Sequence, residues 1–334
     1  MVKRVGNLME RIASLENLHE AFLRASRGKS GKKSVVSFRE HLDENLLRIR
    51  QQLLEGSYEL GKYHFFTIHD PKKRTICAAS FPDRVVFHAL MRICHPVFDN
   101  YQIFDSYASR VGKGTYKALE RAQYFCGRYT WFAKLDVCKY FDSIHHDVLR
   151  HQLCRLFKDS RLLLLFDRIL ESYSVTEKRG LPIGNLTSQY FANHYLSLAD
   201  HYAKEQLRVK AMVRYMDDVL IFSDSCEELK RQIGDLMRYV EDGLRLDLHT
   251  PIVNRTRFGV PFLGYTVRSS HLRLGLRSRR RFVSKMKGLS YLLNEGNIGE
   301  QEFTTRATCL FAFIEKAEVK GFKYQQFQKN GIYP

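Results

Sequence analysis

Acidic residues are in short supply. The 334-residue chain carries 36 Asp and Glu against 54 Lys and Arg, a formal net charge of +18. That excess points to a polyanionic partner, either nucleic acid or an anionic membrane surface. Long apolar runs are also missing, and none approaches the ~20 residues that span a bilayer. The opening stretch, MVKRVGNLMERIASLENLHEAF, carries acids early and has no apolar core, so it does not read as a signal peptide. No membrane partner is therefore expected, and nucleic acid leads. The seven cysteines, Cys77, Cys94, Cys126, Cys138, Cys154, Cys226 and Cys309, are scattered and form no CxxC. This argues against a zinc site or a disulfide framework and fits a reducing cytoplasm. There is no internal repeat and no low-complexity segment.

What is present describes a globular chain. Hydrophobic residues make up 44% and aromatics 13%, too many for disorder. Cores usually split beyond ~250–300 residues, so two or three subdomains are expected. Leu and Phe recur at helical spacing through residues 1–60, interrupted by the basic loop SRGKSGKKS. KYHFFTIHDPKKRTICAAS reads as two short strands, followed by a helix over FPDRVVFHALMRICHPVF. YTWFAKLDV, at 129–137, is strand-like and ends at Asp136. Helices are expected over HHDVLRHQLCRLF and SRLLLLFDRILESY, then a Pro/Gly turn GLPIGN and one long helix over LTSQYFANHYLSLADHYAKEQL. KAMVRYMDDVLIFSD reads as a hairpin, CEELKRQIGDLMRYVEDGL as an amphipathic helix and VPFLGYTV as a strand, with the remainder helical. The order predicts an α+β fold with antiparallel pairing.

Asp217 and Asp218 are expected in the two-residue turn of that hairpin, where Asp is a favoured type. A plain surface turn would explain them, but Tyr215 and Met216 lead in and VLIF leads out. Two carboxylates in poor solvent repel and take up protons unless a cation is present. A divalent ion such as Mg²⁺, which favours carboxylate and phosphate oxygens, resolves the conflict. Asp136, at a strand end, is the candidate third carboxylate. Its plainer role is capping or salt bridging. Two metal ions about 3.5–4 Å apart would clamp the attacking and leaving oxygens of a nucleotidyl transfer.

These residues, taken together, resemble the reverse transcriptases. YMDD at 215–218 resembles their metal-binding hairpin, and AKLDVCKYFDSI at 133–144 their first palm motif. GLPIGNLTSQYFANHYL at 180–196 resembles the next motif. DPKKRTICAASFPDRVVFHAL and FDSYASRVGKGTYKAL resemble two fingers motifs of prokaryotic members, and FLGY at 262–265 the primer-grip strand. IGNLTSQ at 183–189 has Ile183 and Gln189 where most prokaryotic relatives have Gln and Pro. That pattern, with the short helical N-terminal region, resembles reverse transcriptases of diversity-generating retroelements.

The resemblance implies a right-hand polymerase fold. An N-terminal helical extension is expected over 1–60, fingers over 61–128, a palm over 129–267 (with 160–180 as a fingers-like insertion) and a basic helical thumb over 268–334. It implies an RNA-directed DNA polymerase that copies a template-repeat RNA into adenine-mutagenised cDNA. Asp136, Asp217, Asp218 and the backbone of Val137 would hold two Mg²⁺ ions, with Mn²⁺ as a substitute. Lys72 (or Lys73, the register being open) and Arg74 would neutralise the triphosphate. Val137 and Cys138 would seat it, Phe141 would lie against the sugar, and Gln189 would border the nucleotide. Ile183, which can pack but not hydrogen-bond, is expected to lower fidelity. Phe262, Leu263, Gly264 and Tyr265 would grip the primer. Arg277, Arg279, Arg280, Arg281 and Lys285, in the basic segment 268–287, would hold duplex phosphates. Expected partners are template RNA, cDNA or primer, deoxynucleoside triphosphates and a small, basic, ring-forming accessory protein. The stretch LRLDLHTPIVN lacks the Lys that related polymerases often carry. His249 is a weak substitute and stays off the catalytic set. The segment after Tyr265 is short for a further domain of ~100–150 residues, so no nuclease domain is expected. A retron, group II intron or defence-associated enzyme is the alternative, and a non-catalytic RNA-binding scaffold the alternative of another class.

Overall fold

Ser80, Pro82 and Asp83 open the longest helix, Phe81–Tyr101. The Ser80 hydroxyl accepts from the Asp83 N–H and donates to its carboxylate, while Pro82 sits where no intrahelical donor is needed. Asp83 is buried, and it also accepts from the Tyr58 hydroxyl at 2.8 Å and the Gly61 N–H at 3.0 Å. The computed structural model describes residues 3–69, 73–315 and 317. Among them no helix is long and apolar enough to cross a membrane, and no cysteine forms a disulfide.

The chain divides into two units. The first takes in the described residues of 1–104, 137–207 and 235–249. Its helices include Leu15–Ser26, Lys33–Glu40, Leu42–Glu55, His146–Leu156 and Ser160–Glu171. Phe22, Phe38 and Phe81 join the first two of these to the helix Phe81–Tyr101, with ring centroids 5.1–6.0 Å apart. A ribbon of two antiparallel strands, β1 (His64–Ile68) and β2 (Arg74–Ala78), stands mostly exposed. The single long helix expected over 186–207 is interrupted. Leu186–Tyr195 and Ser197–His201 are separate α segments, and Tyr202–Gln206 closes with a π turn. The Tyr195 carbonyl at the break accepts from the Gln152 side chain at 3.2 Å, which diverts it from the helix ladder.

The second unit takes in the described residues of 105–136, 208–234 and from 250 onward. Its main sheet runs β4 (Ala211–Tyr215), β5 (Asp218–Ser223), β3 (Trp131–Leu135), β6 (Ile252–Arg255), all antiparallel. A second sheet runs β7 (Val260–Phe262), β8 (Tyr265–Val267), β9 (Leu272–Leu274). Helices Thr115–Cys126, Leu276–Asn294 and Glu300–Ile314 share one apolar core with both sheets. VPFLGYTV, expected as one strand, is a hairpin. Leu263 and Gly264 both have left-handed φ, 49° and 86°, as a two-residue primed turn requires. β9 replaces part of the helix expected after Arg268. Its alternating Leu272 and Leu274 are buried, with Arg273 exposed between them.

Asp159 ties the N-terminal segment down. Its carboxylate caps the helix Ser160–Glu171 through the Leu162 N–H and accepts from the Leu8 and Met9 N–H groups at 2.9 and 3.0 Å. Burial works to raise its pKa, yet these three donors hold it below the usual carboxylate range. Asp159→Ala is expected to cost about 1–2 kcal/mol in urea unfolding at pH 7. The loss should shrink as pH falls through the depressed pKa, where the wild-type carboxylate is itself protonated.

Candidate active site

The hairpin β4–β5 is built from side chains that refuse water. Ala211–Arg214 and Val219–Ser223 are buried. Tyr215 pairs with Asp218, so the turn consists of Met216 and Asp217. This corrects the expected placement by one residue: Asp217 lies in the turn, and Asp218 is the first residue of β5. Met216 takes φ 55°, a conformation costly for a residue with a Cβ. The buried Arg214 side chain donates to the Met216 carbonyl at 3.1 Å. The Arg214 backbone is held on the other edge, donating to the Asp105 carbonyl and accepting from the Tyr107 N–H, both at 2.9 Å. Asp105 is fixed in turn by Arg121 at 2.8 Å and the Tyr107 hydroxyl at 3.1 Å.

β3 lies beside β5 with Leu135 opposite Val219. The ladder ends there, and Asp136 follows β3 directly, close enough to Asp218 for its charge to act on that carboxylate. Lys134 reaches Asp218 Oδ2 at 3.0 Å. The other oxygen, Asp218 Oδ1, is buried without a hydrogen-bond partner. Burial pushes the Asp218 carboxyl up to about 6, Lys134 pulls it down, and the charges of Asp136 and Asp217 push it up again. Two carboxylates thus act on the third, and Asp136 and Asp217 are both half-buried. Lys134 escaped the sequence reading, although its place two residues before Asp136 on a strand was the available signal.

The remaining expected residues lie as follows. Lys72 is outside the described residues. Arg74, the first residue of β2, is exposed. Val137 is buried and bridges Leu248. The Cys138 N–H donates to the Asp247 carbonyl at 2.8 Å. That amide is bonded within the protein. Phe141 is half-buried, and its carbonyl accepts from the Leu181 N–H. Ile183 is half-buried, with its carbonyl accepting the Cys77 N–H at 2.8 Å. Gln189 is exposed. These residues from Arg74 to Gln189 belong to the first unit, and the three aspartates to the second. Phe262 and Tyr265 are buried, flanking the Leu263–Gly264 turn. A Cβ on Gly264 would meet Ser278 Oγ at 2.8 Å. Arg277, Arg279, Arg280 and Lys285 are exposed on the helix Leu276–Asn294, and Arg281 lies over the Phe313 ring. Arg268 is spent on the Arg257 and Phe258 carbonyls.

A model of the family described as reverse transcriptase (RNA-dependent DNA polymerase) matches residues 68–267, more than half of the chain. The chain belongs to the reverse transcriptase family. As a reverse transcriptase it is 24% identical over 217 residues to the COX1/OXI3 intron 1 protein of Saccharomyces cerevisiae, covering 61% of this chain and 26% of that one. It is 26% identical to nuclear intron maturase 2, mitochondrial, of Arabidopsis thaliana, covering 40% of this chain and 20% of that one. Among solved structures it is similar to telomerase from Candida albicans in complex with a TWJ fragment of telomeric RNA, at 14% identity and TM-score 0.49, covering 90% of this chain and 60% of that one. The chain spans about a quarter of the length of the first of these relatives. The mixed helical and antiparallel architecture is that of the family's right-hand polymerase fold.

Reverse transcriptase domains generally use divalent metal ions. The residues fit one: a buried, unsatisfied carboxylate oxygen on Asp218 beside two further carboxylates is a hard-oxygen donor set. Among the described residues no group of three or more His, Cys, Asp and Glu stands in a ready-made metal cage.

A carboxyl whose pKa is raised by folding stabilises the folded chain fully below its unfolded pKa, 3.8, and that contribution is lost as pH rises through about 6. In chelator at pH 7.5, Asp218→Asn is therefore expected to be more stable than wild type, by on the order of 1–3 kcal/mol. Thermal unfolding across pH 4–8 reads the difference, which should close toward the acid end. Equal melting temperatures at pH 7.5 would contradict a desolvated carboxylate.

Proposed function

We propose that the chain is an RNA-directed DNA polymerase that extends a primer on an RNA template with deoxynucleoside triphosphates. The observation that carries this reading is that the charges of Asp136, just after β3, and Asp217, in the β4–β5 turn, both act on the Asp218 carboxylate. Asp136, Asp217 and Asp218, with the Val137 carbonyl, would hold two Mg²⁺ ions, Mn²⁺ serving as a substitute. When bound, the ions supply charge stabilisation at the attacking and leaving oxygens. The protein's own part is to hold the carboxylates ionised and oriented. Lys134 keeps Asp218 charged, and Arg214 fixes the turn that presents Asp217. We assign residues 61–128 to fingers, 129–267 to palm (with 160–180 as a fingers-like insertion) and 268–334 to a thumb, behind an N-terminal extension over 1–60. The exposed arginines of the helix Leu276–Asn294 would grip duplex phosphates.

The finer reading is a diversity-generating enzyme that copies a template-repeat RNA with errors opposite adenine, aided by a basic ring-forming accessory protein. IGNLTSQ at 183–189 supports it. The similarity to the intron proteins favours the alternative of an intron-borne enzyme.

Primer extension on an RNA template with Mg²⁺ tests the activity. Asp217→Ala and Asp218→Ala should each reduce it by roughly a hundredfold or more, since lost charge stabilisation is worth several kcal/mol and each 1.36 kcal/mol is tenfold. Wild-type protein that binds RNA but never extends would favour the scaffold reading. For fidelity, Ile183→Gln should reduce misincorporation several-fold, because one added hydrogen bond of ~1 kcal/mol changes discrimination by about that much. Sequencing of the cDNA reads the spectrum, and an unchanged one removes Ile183 from any role in fidelity.

A further inference from the structure

Residues 144–146 of the first unit lie antiparallel to 178–180. The Gly180 N–H donates to the Ile144 carbonyl at 2.9 Å, and the His146 N–H to the Lys178 carbonyl at 3.0 Å. His145 and Arg179 are thereby direct bridge partners. A third segment is tied to them by Tyr195. Its hydroxyl donates to the Leu244 carbonyl at 2.6 Å and accepts from the His145 N–H at 3.4 Å. Arg245 follows Leu244, and all of these residues belong to the first unit. Nothing in the polymerase chemistry above uses His145, Arg179 or Arg245.

Arg179 Nε donates to His145 Nε2 at 2.8 Å. A guanidinium can only donate, so Nε2 is the acceptor and the neutral ring carries its proton on Nδ1. The ring is neutral at pH 7, because burial lowers its pKa and the charges of Arg179 and Arg245 lower it further. Asp147 works against them, but it is exposed and paired with Arg150 at 3.7 Å. Among the described residues, none engages His145 Nδ1, the terminal nitrogens of Arg179 or the Arg245 guanidinium in a hydrogen bond or an ion pair. None of the unpartnered atoms of His145 and Arg179 is shut away from solvent, and Arg245 is exposed. Lys178 and Arg245 both take φ 53°, a costly conformation for a residue with a Cβ and one that gathers at ligand clamps.

Cations without anions and donors without acceptors call for the same thing, an oxyanion with several oxygens. The neutral His145 ring adds a donor without adding to the repulsion between the arginines. A net charge of +18 in a reverse transcriptase makes phosphate, rather than carboxylate, the anion to expect. We infer that His145, Arg179 and Arg245 form a phosphate-binding site. The phosphate comes either from the backbone of a bound RNA or from a free phosphate compound.

The experiment is phenylglyoxal modification of the full chain in EDTA, with the modified arginines mapped by mass spectrometry. Inorganic phosphate and a single-stranded RNA are the added anions, and the exposed Arg50 is the reference. Phosphate should slow modification of Arg179 and Arg245 several-fold and leave Arg50 unchanged. Arg245→Gly should cut the protection of Arg179 by about three- to tenfold, since both guanidiniums serve one anion. Glycine accepts the left-handed φ at that position, so folding is not threatened. Arg245→Lys should retain part of the protection, because it keeps the charge but loses the fork. RNA that protects at a phosphate-group concentration far below that of the free ion identifies RNA as the source. RNA that protects no better identifies a free phosphate compound. Asp217→Ala should leave the pattern unchanged, so failure of the polymerase reading and failure of this site are read separately. The inference is overturned if phosphate protects neither arginine more than Arg50, or if Arg245→Gly leaves Arg179 as well protected as before. Protection by an oligoglutamate peptide where phosphate gives none would overturn it too.

Discussion

A carboxylate forced out of water beside two others is the constraint around which the second unit is arranged. Asp218 begins a strand whose remaining residues are buried, and with one oxygen shut away from water its charge is only partly relieved by solvent. Lys134 offsets part of the cost through one oxygen, while the other stays unsatisfied. Such a group persists only where the scaffold leaves it no alternative. Here the scaffold is a four-stranded sheet whose register sets Leu135, the residue before Asp136, against Val219, the residue after Asp218, and a turn closed by the buried Arg214. The left-handed Met216 adds strain of the kind that collects at functional sites. Asp105, Tyr107 and Arg121 brace β4 from its open edge.

The first unit solves a different problem. It is a helical body held by individual polar ties rather than by a sheet. Asp83 gathers Tyr58, Gly61 and Ser80. Asp159 gathers two N-terminal amides and the cap of a helix. Asn17 donates to the Ile12 and Ala89 carbonyls and accepts from Arg92. Each tie gives one polar side chain three partners, as groups shielded from water demand. Against that background the unsatisfied oxygen of Gln152 is an exception, as is that of Asp218 in the other unit.

Much of this was legible in the residues. The aromatic strand ending at Asp136, the hairpin around YMDD, the exposed β1–β2 ribbon and the helix opened by Pro82 all follow from alternation, turn types and caps. Legibility failed where a choice depended on neighbours remote in the chain. Whether the turn was Met216–Asp217 or Asp217–Asp218 depended on the Arg214 side chain closing it. VPFLGYTV looked like a strand because only Gly264 signalled a turn, and Leu263 gives no local hint of a left-handed φ. The break at residue 196 accompanies a side chain from another helix. Nothing local to Cys138 signals that the remote Asp247 carbonyl accepts from its amide. Arg214 reads as an ordinary strand cation, since nothing local announces its burial.

The β1–β2 ribbon is not an independent arm. The Cys77 N–H on β2 donates to the Ile183 carbonyl. Next to Ile183, Gly184 has φ 113°, and a Cβ there would strike Ile76 Cγ2 at 2.8 Å. Only a residue without a Cβ leaves room for Ile76 at that distance, so the ribbon packs directly on the 183–184 turn. Any swing of the ribbon must drag Ile183 along or break that bond, so a load on β2 is felt mechanically at residue 183.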